Sequence, residues 1–168
     1  MRLLIAAFLF VVSQHQAMPA GMSHEDHLKQ MQKDAELKKR GALAMGFDQD
    51  KVTHEFRSTA TGGSIEVEAN GPDDSASREQ IRTHLKDIAG AFAKGGFGKP
   101  FETHAEVPPG VAVMQRLKAV IRYKYEETLR GGLVRISTAD PEALKAIHEF
   151  LEYQAREHHT SDPLAVRK

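Results

Sequence analysis

VTHEFRSTATGGSIEVEA, residues 52–69, alternates apolar and polar side chains on both sides of a glycine pair. Val52, His54 and Phe56 interleave with Thr53, Glu55 and Arg57, and Ile65, Val67 and Ala69 with Glu66 and Glu68. A period of two marks a strand with one buried face. The stretch therefore reads as a hairpin, VTHEF and SIEVEA joined by RSTATGG. The same pattern returns downstream. AVIRYKYEE and LVRIST flank TLRGG, with Ile121, Tyr123 and Tyr125 alternating with Arg122, Lys124 and Glu126. The glycine pairs Gly62-Gly63 and Gly131-Gly132 lie 69 residues apart (131 − 62). At that offset Phe56 falls on Tyr125, His54 on Tyr123, Ile65 on Val134, Val67 on Ile136 and Pro72 on Pro141.

Each hairpin precedes a helical pattern. Residues 75–94 carry Ile81, Leu85, Ile88 and Phe92 on one face, with Asp74 as N-cap. ADPEALKAIHEFLEYQAREHH repeats the arrangement, with Asp140 capping and Pro141 at the first helical position, where its missing N–H costs nothing. One ββα unit covers its sheet face only in part. Two units side by side predict an α+β, two-layer sandwich: a four-stranded antiparallel sheet with both helices on one face. Between the repeats, FETHAEVPPG reads as a connector and VAVMQRLK as a short helix with Val111, Met114 and Leu117 on one side.

The chain before the first hairpin has two parts. Residues 1–20 begin with Arg2 and an uncharged apolar run, Leu3–Val12. The run is far shorter than the roughly 20 residues of a membrane span, so it reads as a secretory signal peptide. No stable membrane span is expected after its removal, and the expected location is bacterial periplasm or exterior. Residues 21–47 read as a charged helix with only a thin apolar stripe, a form suited to binding a protein partner. Residues 48–160 form the single ββα-ββα domain, and 161–168 a frayed tail.

Composition excludes several functions. There are 23 Lys+Arg and 23 Asp+Glu, so no global basic field for nucleic acid exists. Cysteine is absent, which removes disulfides, thiolate metal sites, iron–sulfur clusters and cysteine nucleophiles. No nucleophile-elbow, phosphate-loop or HExxH motif is present. The segments RGALAMGFDQDK, VPPGVAVMQRLK and AIHEFLEYQ resemble a family of small, exported bacterial proteins without an established activity. The resemblance implies export and carries over no catalytic residue.

The compositional excess is histidine, nine in 168 residues. Two groups of candidate metal ligands emerge. In the interior, strand alternation turns His54 toward the core, helical spacing sets His84 beside the apolar stripe, and His104 and Met114 can cover the same end of the sheet. Imidazole and thioether suit copper or zinc, and a histidine pair can serve a haem. The alternative group is His24, His27 and Met31, on one face of the N-terminal helix. His158-His159 read as a cationic helix C-terminus. The functional expectation is an exported metal-binding protein. The alternatives are a non-catalytic interaction module of the envelope, or a small histidine-dependent enzyme.

Overall fold

The computed structural model describes residues 23–158. The expected signal peptide and the tail 161–168 lie outside the described residues. The chain divides into two compact units, Met1–Asp34 and Ala35–Lys168. In the first, the described residues are the start of helix α1 (His24–Met45). Ser23 caps it, its hydroxyl accepting from the Asp26 amide at 3.1 Å, and Glu25 and Asp26 occupy the first turn as the helix dipole favours. Leu28 and Met31 are half exposed there. Among the described residues no helix is long and apolar enough to cross a membrane.

The second unit holds the rest of α1 and the repeated elements. These are β1 (Val52–Thr59), β2 (Gly62–Ala69), α2 (Ser75–Ala93), α3 (Gly98–His104), α4 (Val111–Arg116), β3 (Arg122–Glu127), β4 (Gly131–Ser137) and α5 (Pro141–Glu157). The four strands form one antiparallel sheet in the order β1-β2-β4-β3. This is the expected α+β architecture. Both caps are where the sequence places them: Asp74 accepts from the Ser77 amide at 3.0 Å, and Asp140 from the Glu142 and Ala143 amides at 2.9 Å each.

Two local features depart from the sequence reading. The expected connector opens inside α3, a helix of seven residues that starts before it at Gly98 and has Pro100 in its first turn. It is too short to display a period, and it stops at Ala105, whose φ of 59° lies in the left-handed region. Before β3, residues Lys118–Val120 make a single 3-10 turn, so the strand begins at Arg122.

The repeat is carried by the strand register. β1 and β2 pair from Val52↔Ala69 to Thr59↔Gly62, and β3 and β4 from Arg122↔Ser137 to Glu127↔Gly132. Both registers obey the 69-residue offset. In the central pair Ile65 lies opposite Val134, its own equivalent. A pseudo-twofold axis therefore passes between those two residues.

The helices are exchanged across that axis. α2 packs on β3 and β4, and α5 on β1 and β2. The helices correspond at an offset of 66 residues (147 − 81), not 69, so Pro141 is not the equivalent of Pro72: Ile81 and Leu85 of α2 answer to Ile147 and Leu151 of α5, and all four are fully buried. Gly132 gives room for the Leu85 methyl and Gly63 for that of Leu151, because a side chain at either position would strike it. Each helix also reaches a turn of the other repeat. Arg82 donates to the carbonyls of Gly131 (3.1 Å) and Thr128 (2.9 Å). His148 Nε2 lies 3.0 and 3.1 Å from the carbonyls of Thr59 and Gly62, the equivalent pair, and so carries the proton. The opposite sheet face is polar, with ion pairs Arg57–Glu66 and Arg130–Glu68 at 2.6 Å each.

Candidate functional site

The site forms at one end of the core, where β1, α2, α3 and the end of α5 meet. Strand alternation puts His54 on the helix-covered face, between Val52 and Phe56, which are buried. His84 follows Ile81 by three residues on α2. His104 is the last residue of α3 and is buried, held there because Arg40 Nε donates to the Thr103 carbonyl at 3.0 Å. Beside them lies a cavity of about 50 Å³ lined by Met45, His84, His104, Phe150, Gln154 and His158 among others.

The rings are in contact. His54 stacks on His158 with centroids 4.9 Å apart, and His158 meets His104 edge-on at 5.3 Å. Phe47, just past α1, touches both His54 (6.1 Å) and His84 (5.6 Å). The structure thus brings His54, His84 and His104 to one end of the core. It does not bring Met114 there. That residue is fully buried on α4 and does not line the cavity, so it is corrected out of the candidate set. Its helical stripe faces the apolar core, and the thioether at the cavity belongs to Met45 instead.

His158 is the residue missed. Its place at a frayed helix end suggested no more than a dipole contact. α5 in fact ends so that its ring lies between His54 and His104. The period of α5 was the available signal: continued past Phe150 and Gln154, it returns to position 158 on the same face. His159 lies outside the described residues.

Two ring nitrogens are buried without a hydrogen-bond partner, His54 Nε2 and His104 Nδ1. For His104 the tautomer follows from geometry. Its Nε2 lies 2.9 Å from Gln154 Oε1, an acceptor, so Nε2 carries the proton and Nδ1 keeps a bare lone pair. All three rings favour the neutral form. Burial first, then the neighbouring His84, lowers His54 from 6.5 to about 4. Burial and then Lys99 lower His84 to about 4, against the opposing pull of Asp87. Burial also lowers His104, against Gln154, Glu157 and Glu106. Neutral imidazole is the form that binds metal.

Among the described residues, no three His, Asp or Glu side chains already converge as a metal-holding group. The rings touch, and an ion between them requires them to turn inward. A haem does not fit: the cavity is well below the roughly 300–1,000 Å³ of sites for drug-sized ligands. His24 and His27 belong to the first unit, at the start of α1 beside the half-exposed Met31. Comparison with protein-family models, curated proteins and solved structures returns no match.

Proposed function

We propose that this chain is an exported metal-binding protein, a buffer or carrier for copper or zinc, with His54, His84 and His104 as its principal ligands. One observation carries the reading. Two neutral imidazoles present buried, partnerless nitrogens at the same end of the core. Buried polar atoms normally find a partner, and leaving one without costs about 1–3 kcal/mol. A metal ion supplies the missing partner to both. Gln154 already does for His104 what an outer ligand does in metal sites, fixing the ring through its second nitrogen.

Calorimetric titration of the apoprotein with Cu(I), Cu(II) and Zn(II) tests the reading. Wild type is expected to bind one equivalent, and His54→Ala or His104→Ala to weaken binding by at least tenfold. Undiminished binding in both variants, lost in His24→Ala/His27→Ala, moves the site to the N-terminal segment. No binding by folded wild type ends the metal reading. The half-exposed Leu28 and Met31 on α1 then favour a partner-binding role for that helix. Export is tested by fusing residues 1–25 to a reporter active only outside the cytoplasm.

A further inference from the structure

We propose that the outer face of the sheet is a self-association surface, which a second copy of this chain covers face to face about a twofold axis that crosses the strands. The surface lies on the side of the sheet away from His54 and stands whether or not a metal binds. α2 and α5 cover the inner face, so alternate residues of each strand look outward. Two rows cross the middle of that outer face. Glu55, Glu66, Leu133 and Glu126 stand side by side in one, and Arg57, Ser64, Arg135 and Lys124 in the other. Farther out, Glu68 extends the acidic side and Arg122 the basic side. The strand acids thus lie on one side of the row through Ile65 and Val134, and the strand bases on the other. Arg130, from the turn before β4, crosses to the acidic side and pairs with Glu68.

The 69-residue offset of the strands makes this division systematic. The pseudo-twofold axis between Ile65 and Val134 carries Glu55 onto Lys124, Arg57 onto Glu126 and Glu66 onto Arg135. Each of these pairs is opposite in sign. Inward residues at the same offset keep their character, Phe56 with Tyr125 and Val67 with Ile136, so the reversal belongs to the outer face. A face built this way carries a charge dipole along its strands. Ion pairs already tie its two rows together, Arg57 to Glu66 and Glu126 to Arg135, with Arg57–Glu55 and Lys124–Glu126 within the strands. Such exposed pairs hold their members weakly. The Lys124 side chain is 76 % exposed and that of Arg135 54 %, so both are open to a further carboxylate.

Two copies laid face to face can share a twofold axis in either of two directions. With the axis across the strands, each acidic row falls on the basic row of the second copy. Glu55 then stands over Arg57, Glu126 over Lys124, and Leu133 over the apolar stem of Arg135. With the axis along the strands, each row meets its like and the charges repel. Charge therefore selects the first arrangement, an isologous contact between aligned sheets. The chain has 23 residues of each sign, so no net charge holds two copies apart. A nucleic acid or an anionic membrane is a poorer occupant, because the acidic half of the face repels it. The four strands, of six to eight residues, present a face about 20 Å on each side. That is small beside the area of a standard stable complex, so the dimer is weak and salt-sensitive.

Sedimentation equilibrium of the full chain over a concentration series tests the surface. At low salt the average mass is expected to rise toward that of a dimer, and about 0.5 M salt to weaken the association about tenfold. Arg57→Glu/Lys124→Glu and Glu55→Lys/Glu126→Lys are each expected to stay monomeric with unaltered circular dichroism. A mixture of the two, now opposite in charge, is expected to form a one-to-one heterodimer. The direction of the axis is read with introduced thiols, since the chain has no cysteine of its own. Thr53 and Thr59 lie at opposite ends of β1 on the outer face, so the proposed axis sets one over the other. A short bis-maleimide is expected to join Thr53→Cys protein to Thr59→Cys protein, and neither to itself. A chain that stays monomeric at every concentration overturns the inference. So does association that neither salt nor charge reversal moves, which assigns the contact to the half-exposed Leu28 and Met31 of α1. Cross-linking of either cysteine protein with itself overturns the orientation and with it the argument from charge.

Discussion

The Gln154 amide decides what His104 can do. By accepting from Nε2 it leaves Nδ1 bare, while the bond itself favours the protonated ring and burial is what holds the ring neutral. Such rings link folding to protons. His54 and His84 titrate near 4 in the folded chain and near 6.5 when exposed. Below 6.5 the unfolded chain binds protons that the folded chain refuses, so stability falls as pH falls and levels off beneath about 4. Each ring adds a slope of about 1.4 kcal/mol per pH unit within that window. Lys99 and Asp87 bear on His84 and His84 on His54, and they set where in the window the loss is steepest. Urea denaturation at a series of pH values is expected to show this decline, and His54→Phe with His84→Leu to flatten it. An unchanged slope in the double variant means the acid sensitivity lies elsewhere. His54 and His84 were legible because strand alternation and helical spacing each place a side chain independently, whereas His104 was offered only from its position before the proline turn. Met114 was misassigned because periodicity gives a face and not a position along it. His158 escaped because a terminus was assumed to fray.

At the scale of elements, the hairpins and their helices were legible from period and caps alone, since each is a local pattern. α3 was not, because seven residues with a proline show no period. The exchange of helices was not legible either, because nothing local states which hairpin a helix covers. Its signature is the glycine at the middle of each contact. A β-carbon at Gly63 would collide with the Arg57 carbonyl oxygen as well as the Leu151 methyl, whereas one at Gly132 would meet the Tyr125 ring at 2.9 Å and the Leu85 methyl at 3.1 Å, with the Glu126 carbonyl oxygen farther off at 3.2 Å. Backbone cannot give way as a side chain can. Gly63→Ala is therefore expected to destabilise by more than Gly132→Ala, the latter costing about 1–3 kcal/mol as overpacking does. Denaturation midpoints of the two variants check the order, and the reverse order means the contacts yield differently than their geometry implies.

In the second unit the two repeats share one hydrophobic core. Each helix packs chiefly on the other repeat's hairpin, with α2 also touching β2, so a half severed in the connector between α3 and α4 loses the main cover of its hairpin face. Residues 35–107 and 108–168, made separately, are each expected to lack a folded monomer, and to recover the native circular dichroism when mixed. A half that folds alone as a monomer, by light scattering and amide exchange, contradicts the exchange. The same crossing has a consequence in time. A growing chain completes β1 and β2 early, yet the helix that chiefly shields them is Pro141–Glu157, nearly the last described segment to be made. At a synthesis rate of roughly 5–20 residues per second the first hairpin waits several seconds for its cover. Through that interval the first hairpin lacks its principal apolar cover.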